Sequence, residues 1–315
     1  MPCSLAALLL PNLSVLENAS LARYTRFEVG GPARILADAS TETALAEALR
    51  AIQENREPYT VMGGGTNLVA SDEGYPGVVL RYTNTALEFA GNTVEVTAGV
   101  VLQDLVDASI AQGLRGLETM TGIPGWVGGA IYGNAGAYGH SIQERTVSVR
   151  YLERGSVREI GNAACEFAYR ESLFKRRKDW VVLSATLQLE SADAEELRAT
   201  SAGILKIRNE KYPPTMRCAG SIFKNLLWKD LPEAVRAMVP PAVVREGKVP
   251  SAYFLEQAGA KGLGRGGVRV ADYHANLIYN QGGGTAVQVR ELIADLKRRV
   301  RERFGFNLDE EVQYI

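Results

Sequence analysis

Gly63, Gly64, Gly65, Thr66 and Asn67 carry the first chemistry legible in the chain. Three consecutive glycines present a backbone with no Cβ atoms to keep a ligand at a distance. The N–H groups of such a loop can turn together toward an anion, and the Thr66 hydroxyl and Asn67 carboxamide add side-chain donors. The combination predicts a diphosphate cradle built of backbone dipoles rather than of positive charge. No Lys-Ser or Lys-Thr follows the glycines, so this is not a Walker loop, and the GxGxxG spacing is also missing. For the loop alone, a glycine-rich turn between two strands is the plain alternative.

A second array runs from Leu117 to Gly139 and holds seven glycines. Its apolar residues, Ile123, Trp126, Val127, Ile131 and Tyr132, show no clean period of 2 or 3.6. A flexible linker would be polar and rich in Ser or Pro. The pattern predicts a packed loop whose backbone presses against a ligand or another segment.

The rest of the composition narrows the chemistry. Lys and Arg total 35 against 36 Asp and Glu, a net charge of −1, which leaves no electrostatic footprint for nucleic acid or an acidic membrane. Cys3, Cys165 and Cys218 are too scattered for a disulfide framework or a zinc site, and His140 and His274 lie far apart. No metal is expected, and a reduced cytoplasmic compartment fits. The apolar opening Met1 to Leu10 has no basic residue before Pro11 and reads as a short helix or arm, with a signal peptide as the lesser reading. No later apolar run is long enough to span a membrane.

At 315 residues and 46% hydrophobic content, two or three folding units are expected. Ser40 to Thr43 starts a helix whose apolar positions Leu45, Ala48, Leu49 and Ile52 recur at helical spacing until Glu57-Pro58. Tyr59 to Met62 is a strand that delivers the chain to the first glycine loop. Val78 to Arg81 and Thr93 to Ala98 read as strands, and Val101 to Gln112 as a helix closed by Gly113. Arg145 to Leu152, Val157 to Ile160 and Val181 to Leu189 read as antiparallel strands. A helix from Ala192 to Lys211 ends at Tyr212-Pro213-Pro214. Beyond it lie a helix near Tyr253 to Ala258, a strand near Leu277 to Tyr279, a long helix from Val287 to Phe304 and a tail of strand character.

Seven motifs now stand in order: VGGPA, GGGTNL, GIPGxVGGA, GNAGAYG, YRxSxF, AGSxFKN and a terminal LxxEV. From Tyr24 onward the succession resembles the UDP-N-acetylenolpyruvoylglucosamine reductases, and the short spacing from Arg170 to Ser221 is similar to the family's type II members. The resemblance implies an α+β protein. An FAD-binding domain of the PCMH, vanillyl-alcohol-oxidase-like type would have two lobes, 1–81 and 82–192. A smaller α/β substrate domain would occupy 193–315, its last strand packing back on the first lobe. FAD would be held by Gly63, Gly64, Gly65, Thr66, Asn67 and Leu68. Gly122, Ile123, Pro124, Gly125, Gly128, Gly129, Ala130, Asn134 and Gly136 would complete its site. Neither stretch contains Cys or His, so attachment would be non-covalent. NADPH would reduce the flavin and leave, and the UDP-N-acetylglucosamine enolpyruvate would then enter the same site. A monomer is expected.

The reaction implied by the resemblance adds hydride to the methylene carbon of an enol ether and a proton to the carbon bearing the carboxylate. Charge pushed into that carboxylate calls for a fixed cation and a proton donor. Arg170 matches the family's catalytic arginine, with permanent charge and planar donors suited to a carboxylate. Ser221 matches the proton donor, which as a weak acid needs a polarising neighbour and exclusion of water. Glu311 matches the glutamate that assists protonation. Tyr169, Lys224, Asn225 and Lys261 would contact substrate, although Leu226 stands where the family usually has proline. On residue type alone, an arginine such as Arg170 is usually a surface side chain and a serine such as Ser221 a turn or helix-cap residue, while Glu311 reads as a solvated edge; only the ordered motifs raise the functional reading. An FAD oxidase acting on an alcohol or sugar, and a non-catalytic flavin-binding module, remain open at this point.

Overall fold

The computed structural model describes residues 8–315; the arm expected over Met1 to Leu10 therefore lies, for residues 1–7, outside the described residues. The chain forms two compact units. The first comprises residues up to Ala19, Ala33–Gly65 and Tyr75–Glu210, and the second Ser20–Pro32, Thr66–Gly74 and Lys211–Ile315. The break thus falls at 210/211, not at the expected 192/193, because the helix Ala194–Lys211 buries Leu197 in the first core. Two early segments, 20–32 and 66–74, also join the second unit.

In the first unit the helix Glu42–Glu54 forms as its pattern predicts. Thr41 accepts a hydrogen bond from the Ala44 amide at its start, and Ala44, Leu45, Ala48, Leu49 and Ile52 are buried along one face. It packs beside a four-stranded sheet in the order Leu13–Ser20, Pro32–Ala39, Tyr75–Tyr82, Tyr59–Val61. The last three of these are parallel, and Val78, Val79 and Leu80 at their centre are fully buried. A five-stranded antiparallel sheet follows: Ser156–Gly161, Thr146–Glu153, Val181–Gln188, Thr93–Thr97, Leu87–Ala90. Arg154 and Gly155, both with φ near +50 to +80°, make its two-residue hairpin turn. A single hydrophobic core, from Ile35 and Leu80 to Val149 and Leu183, serves both sheets.

The second unit is centred on an antiparallel sheet of Gly264–Arg265, Val268–Ala271 and His274–Asn280. The helix Ala286–Phe304 covers its core with Val289, Leu292, Ile293, Leu296, Val300 and Phe304. Thr285 and Gln288 form a capping box at its start, and the Asp72 carboxylate accepts from the Ala286 and Val287 amides at 2.7 and 2.9 Å. Gly305, at φ 78°, ends the helix in the left-handed region that glycine adopts without strain. Phe254 meets Phe304 and Phe306 edge-on, with ring centroids 5.1 and 4.9 Å apart. Gln313–Tyr314 pairs in parallel with Leu68–Val69.

Candidate active site

The second glycine array is not the irregular loop its pattern predicts. It contains the helix Val127–Tyr132, with Val127, Ala130 and Ile131 buried at i, i+3, i+4 spacing. Fewer than two turns carry too little periodicity to be read from sequence. Gly128 is forced by packing, since a Cβ there would lie 2.8 Å from the Ala98 Cβ. Gly129 is different: a Cβ there would meet nothing within 4 Å. In the first loop a Cβ at Gly64 would meet the Trp126 indole at 3.1 Å, whereas at Gly63 the nearest atom is 3.9 Å away. The amides of Gly63, Gly64 and Gly65 donate to no backbone carbonyl among the described residues. Thr119 Oγ1, just ahead of Gly122, is buried without a hydrogen-bond partner among them. Open glycine faces, uncommitted amides and an orphaned hydroxyl within one unit fit a large ligand with an anionic part.

Other residues of that array are committed to the fold. Gly122 donates its amide to Gln103 Oε1 at 2.7 Å, and Ile123 packs on the core. The Gly125 carbonyl accepts from the Leu102 amide at 2.9 Å, which ties Pro124-Gly125 to the helix Leu102–Ala111. Asn134, only 3% exposed, uses both Nδ2 hydrogens, on Gln143 Oε1 at 2.9 Å and the Ala168 carbonyl at 2.8 Å. Both donors of the carboxamide are thus committed to the fold. A Cβ at Gly136 would strike the His140 carbonyl at 2.3 Å, so that glycine serves a backbone approach.

Arg170 sits in a tight turn. Ala168 and Glu171 exchange backbone hydrogen bonds at 3.0 and 3.1 Å, leaving Tyr169 and Arg170 as the two turn residues. Arg170 has φ 58°, at the position where a type II turn normally carries glycine. An arginine in that conformation costs about 1 kcal/mol, strain of the kind that accumulates at functional sites. The surroundings hold it there: Arg170 Nη2 donates to the Gly136 carbonyl at 2.9 Å, and Lys175 Nζ donates to the Arg170 carbonyl at 2.9 Å. The guanidinium lies 5.3 Å from the Tyr169 ring centroid. Asn134 grips the same turn through Ala168, and Ser172 Oγ donates to the Tyr132 carbonyl at 2.7 Å. Asn134 and Gly136 from one motif and Arg170 from the next thus form one hydrogen-bonded cluster.

The second unit brings Ser221 and Glu311 together. The Glu311 amide donates to the Ile222 carbonyl at 2.7 Å, and the Lys224 amide to the Asp309 carbonyl at 2.9 Å, so the serine segment and the tail run side by side. Ser221 also bridges to Leu277 on the outer strand His274–Asn280, with the Ile222 amide donating to the Asn276 carbonyl. Asn276, 3% exposed, donates from Nδ2 to the Phe223 carbonyl and Ser251 Oγ while its Oδ1 accepts from the Phe223 amide. That buried carboxamide fixes the backbone behind Ser221, and the motif reading missed it. Glu310 faces elsewhere, paired to Lys297 at 2.7 Å and bonded to the Tyr314 hydroxyl.

Asn225 Oδ1 accepts from the Ser251 amide at 3.4 Å, and Lys261 Nζ pairs with Glu256 at 3.2 Å. Both expected substrate contacts therefore have structural partners already. In the first loop, Asn67 Nδ2 donates to the Glu311 carbonyl at 3.0 Å, and Leu68 pairs with Gln313. Among the described residues no group of three or more His, Cys, Asp and Glu is placed to hold a metal ion.

Residues 33–161 match the family described as an FAD binding domain, and residues 212–315 match the UDP-N-acetylenolpyruvoylglucosamine reductase C-terminal domain. A reductase of that name from Solibacter usitatus is 56% identical over 306 residues, covering 97% of this chain and 98% of the relative. The chain belongs to the UDP-N-acetylenolpyruvoylglucosamine reductase family. The Bacillus subtilis reductase is 35% identical over 304 residues, covering 96% of this chain and 94% of its own. The crystal structure of UDP-N-acetylenolpyruvylglucosamine reductase from Thermus caldophilus superposes with a TM-score of 0.75 at 28% identity, covering 96% and 98% of the two chains. As a member of this reductase family the protein is an oxidoreductase with FAD as cofactor and an α+β fold, in which a PCMH-type FAD-binding domain precedes the reductase C-terminal domain. A Cβ at Gly129 would meet nothing within 4 Å and one at Gly63 nothing nearer than 3.9 Å, so these two faces leave room beside the backbone.

Proposed function

We propose that the protein reduces the enolpyruvyl ether of UDP-N-acetylglucosamine to UDP-N-acetylmuramate, a peptidoglycan precursor, using NADPH. Gly63, Gly64 and Gly65 would hold FAD, which would supply the hydride for the substrate's methylene carbon. Arg170 binds the carboxylate, and its fixed positive charge favours the negative charge that develops there. Ser221 gives its Oγ proton to the adjacent carbon. Glu311 assists that protonation from the neighbouring tail, and Lys224 and Tyr169 contact the UDP-sugar. The observation that carries this reading is the bond from the Glu311 amide to the Ile222 carbonyl, which sets the tail glutamate one residue from Ser221. NADPH and the UDP-sugar use one site in turn, with FAD held non-covalently, since neither 63–68 nor 122–136 contains Cys or His. The protein acts as a cytoplasmic monomer; no described helix is long and apolar enough to cross a membrane.

The test separates the two half-reactions under anaerobic conditions. NADPH should bleach the flavin absorbance, and UDP-N-acetylglucosamine enolpyruvate should restore it. Ser221→Ala should bleach at the wild-type rate and recover far more slowly. Equal loss of both half-reactions in a folded, FAD-loaded variant would remove Ser221 from the role of proton donor.

A further inference from the structure

A serine hydroxyl is a feeble acid, and as its proton leaves for carbon the electron pair of the O–H bond stays on Oγ as a developing alkoxide. Something must donate to that oxygen, or the step is prohibitive in a site from which water is excluded. The Tyr212 hydroxyl lies 3.1 Å from Ser221 Oγ, within the second unit. Ser221 has one proton, and if it goes to substrate then Tyr212 must be the donor of this pair. We infer that Tyr212 is the positioning residue that orients Ser221 for proton transfer and stabilises its departing oxygen, an inference that rests on Ser221 being the proton donor. The balance is simple: the proton moves from Oγ to carbon, the Tyr212 O–H stays intact while donating, and Oγ is reprotonated from water after product forms.

The fold is arranged to hold this pair. Tyr212 follows the last residue of the helix Ala194–Lys211 and precedes Pro213-Pro214, which bars it from continuing the helix. The Met216 amide donates to the Pro213 carbonyl at 2.8 Å, turning the chain back, and Gly220, at φ 75°, directs it into Ser221. The Tyr273 hydroxyl donates to the Lys211 carbonyl at 3.0 Å, fixing the backbone just before Tyr212. The His274 ring stands 6.4 Å from the Tyr212 ring, centroid to centroid, and Lys211 Nζ lies 5.1 Å from it. Tyr212 also packs against Cys218, Ala271 and Leu277, so its ring is held as well as its hydroxyl.

Tyr212→Phe keeps the ring and removes the donor. FAD reduction by NADPH should proceed at the wild-type rate. Reoxidation of the reduced enzyme by UDP-N-acetylglucosamine enolpyruvate should slow by roughly 100-fold, the usual effect of deleting one donor to a developing oxyanion. Its solvent deuterium isotope effect should rise as proton transfer becomes limiting, a change that mere loosening of the fold would not give. In a Ser221→Ala background Tyr212→Phe should add almost nothing, because the two act as one unit. If Ser221→Ala is slow but Tyr212→Phe reoxidises normally with an unchanged isotope effect, the assignment of Tyr212 fails alone. If Ser221→Ala itself reoxidises at the wild-type rate, the reading of Ser221 fails and this one with it.

Discussion

Asn67 Nδ2 donates to the carbonyl of Glu311 at 3.0 Å, a bond between residues 244 apart in the chain. The Asn67 carbonyl in turn accepts from the Gln313 amide at 3.0 Å, so this one residue grips the tail from both its side chain and its backbone. A residue singled out for its place in a phosphate-binding loop thereby sets the position of the candidate catalytic glutamate.

Replacing Asn67 with Ala should cost about 1 kcal/mol through the lost donor, read as a lower urea midpoint. Amide exchange at Gln313 should speed up in step. If FAD affinity falls while stability and exchange are unchanged, the carboxamide serves the cofactor and not the tail.

Two adjacent glycines make a sharper contrast. Gly128→Ala must push a methyl group to 2.8 Å from the Ala98 Cβ and should destabilise the apoprotein by about 1–3 kcal/mol. Gly129→Ala meets nothing within 4 Å, so the apoprotein should melt as the parent does while FAD, titrated by fluorescence quenching, binds more weakly. Unchanged FAD affinity in Gly129→Ala would move the cofactor off that face.

Burial, reinforced by the charges of Lys211 and Lys261, pushes the His274 imidazole down to about 4. Its folded value thus lies below the unfolded one, about 6.5, and the unfolded chain binds more protons between the two. Stability from the neutral ring is fully present above pH 6.5 and is lost as pH falls toward 4, by up to about 3 kcal/mol. Urea midpoints at pH 7, 5.5 and 4.5 should decline in the parent and decline less in His274→Gln. An identical decline in both would place the acid sensitivity elsewhere.

Burial likewise raises the Cys165 thiol to about 11 and moves Cys218 upward. The thiolate is the nucleophile, so iodoacetamide at neutral pH should label Cys165 more than about 100-fold slower in the folded protein than in urea. Peptide mass spectrometry reads each cysteine separately.

The long elements were legible because their patterns were local. The capped helix Glu42–Glu54, the hairpin at Arg154-Gly155 and the helix Ala286–Phe304 each declare themselves through periodicity, caps or turn residues. The strand Leu13–Ser20 was not seen, since most of its residues are exposed and no alternation marks it. The motif order singles out Arg170, Ser221 and Glu311 as candidates, but not the residues that support them. Nothing in Tyr169-Arg170 announces a left-handed arginine, and Asn276 and Tyr212 carry no motif. Asn276 reaches Phe223 across 53 residues and Tyr212 reaches Ser221 across nine, contacts of side chains that a one-dimensional pattern does not hold. Asn134 is legible as a residue of interest, but its bonds to Gln143 and the Ala168 carbonyl are not, because a carboxamide serves a turn as readily as a ligand.

The pairing of Leu68–Val69 with Gln313–Tyr314, extended by the Ser71 amide donating to the Ile315 carbonyl at 2.8 Å, also sets a timetable. At roughly 5–20 residues per second of synthesis, residues 66–74 wait on the order of 10–50 s for the strand that completes them. During that interval they are an unpaired apolar edge on a partly made chain, open to chaperones and to misassociation. Refolding from denaturant meets the same long loop closure all at once, so the second unit should be the slower of the two to regain protected amides.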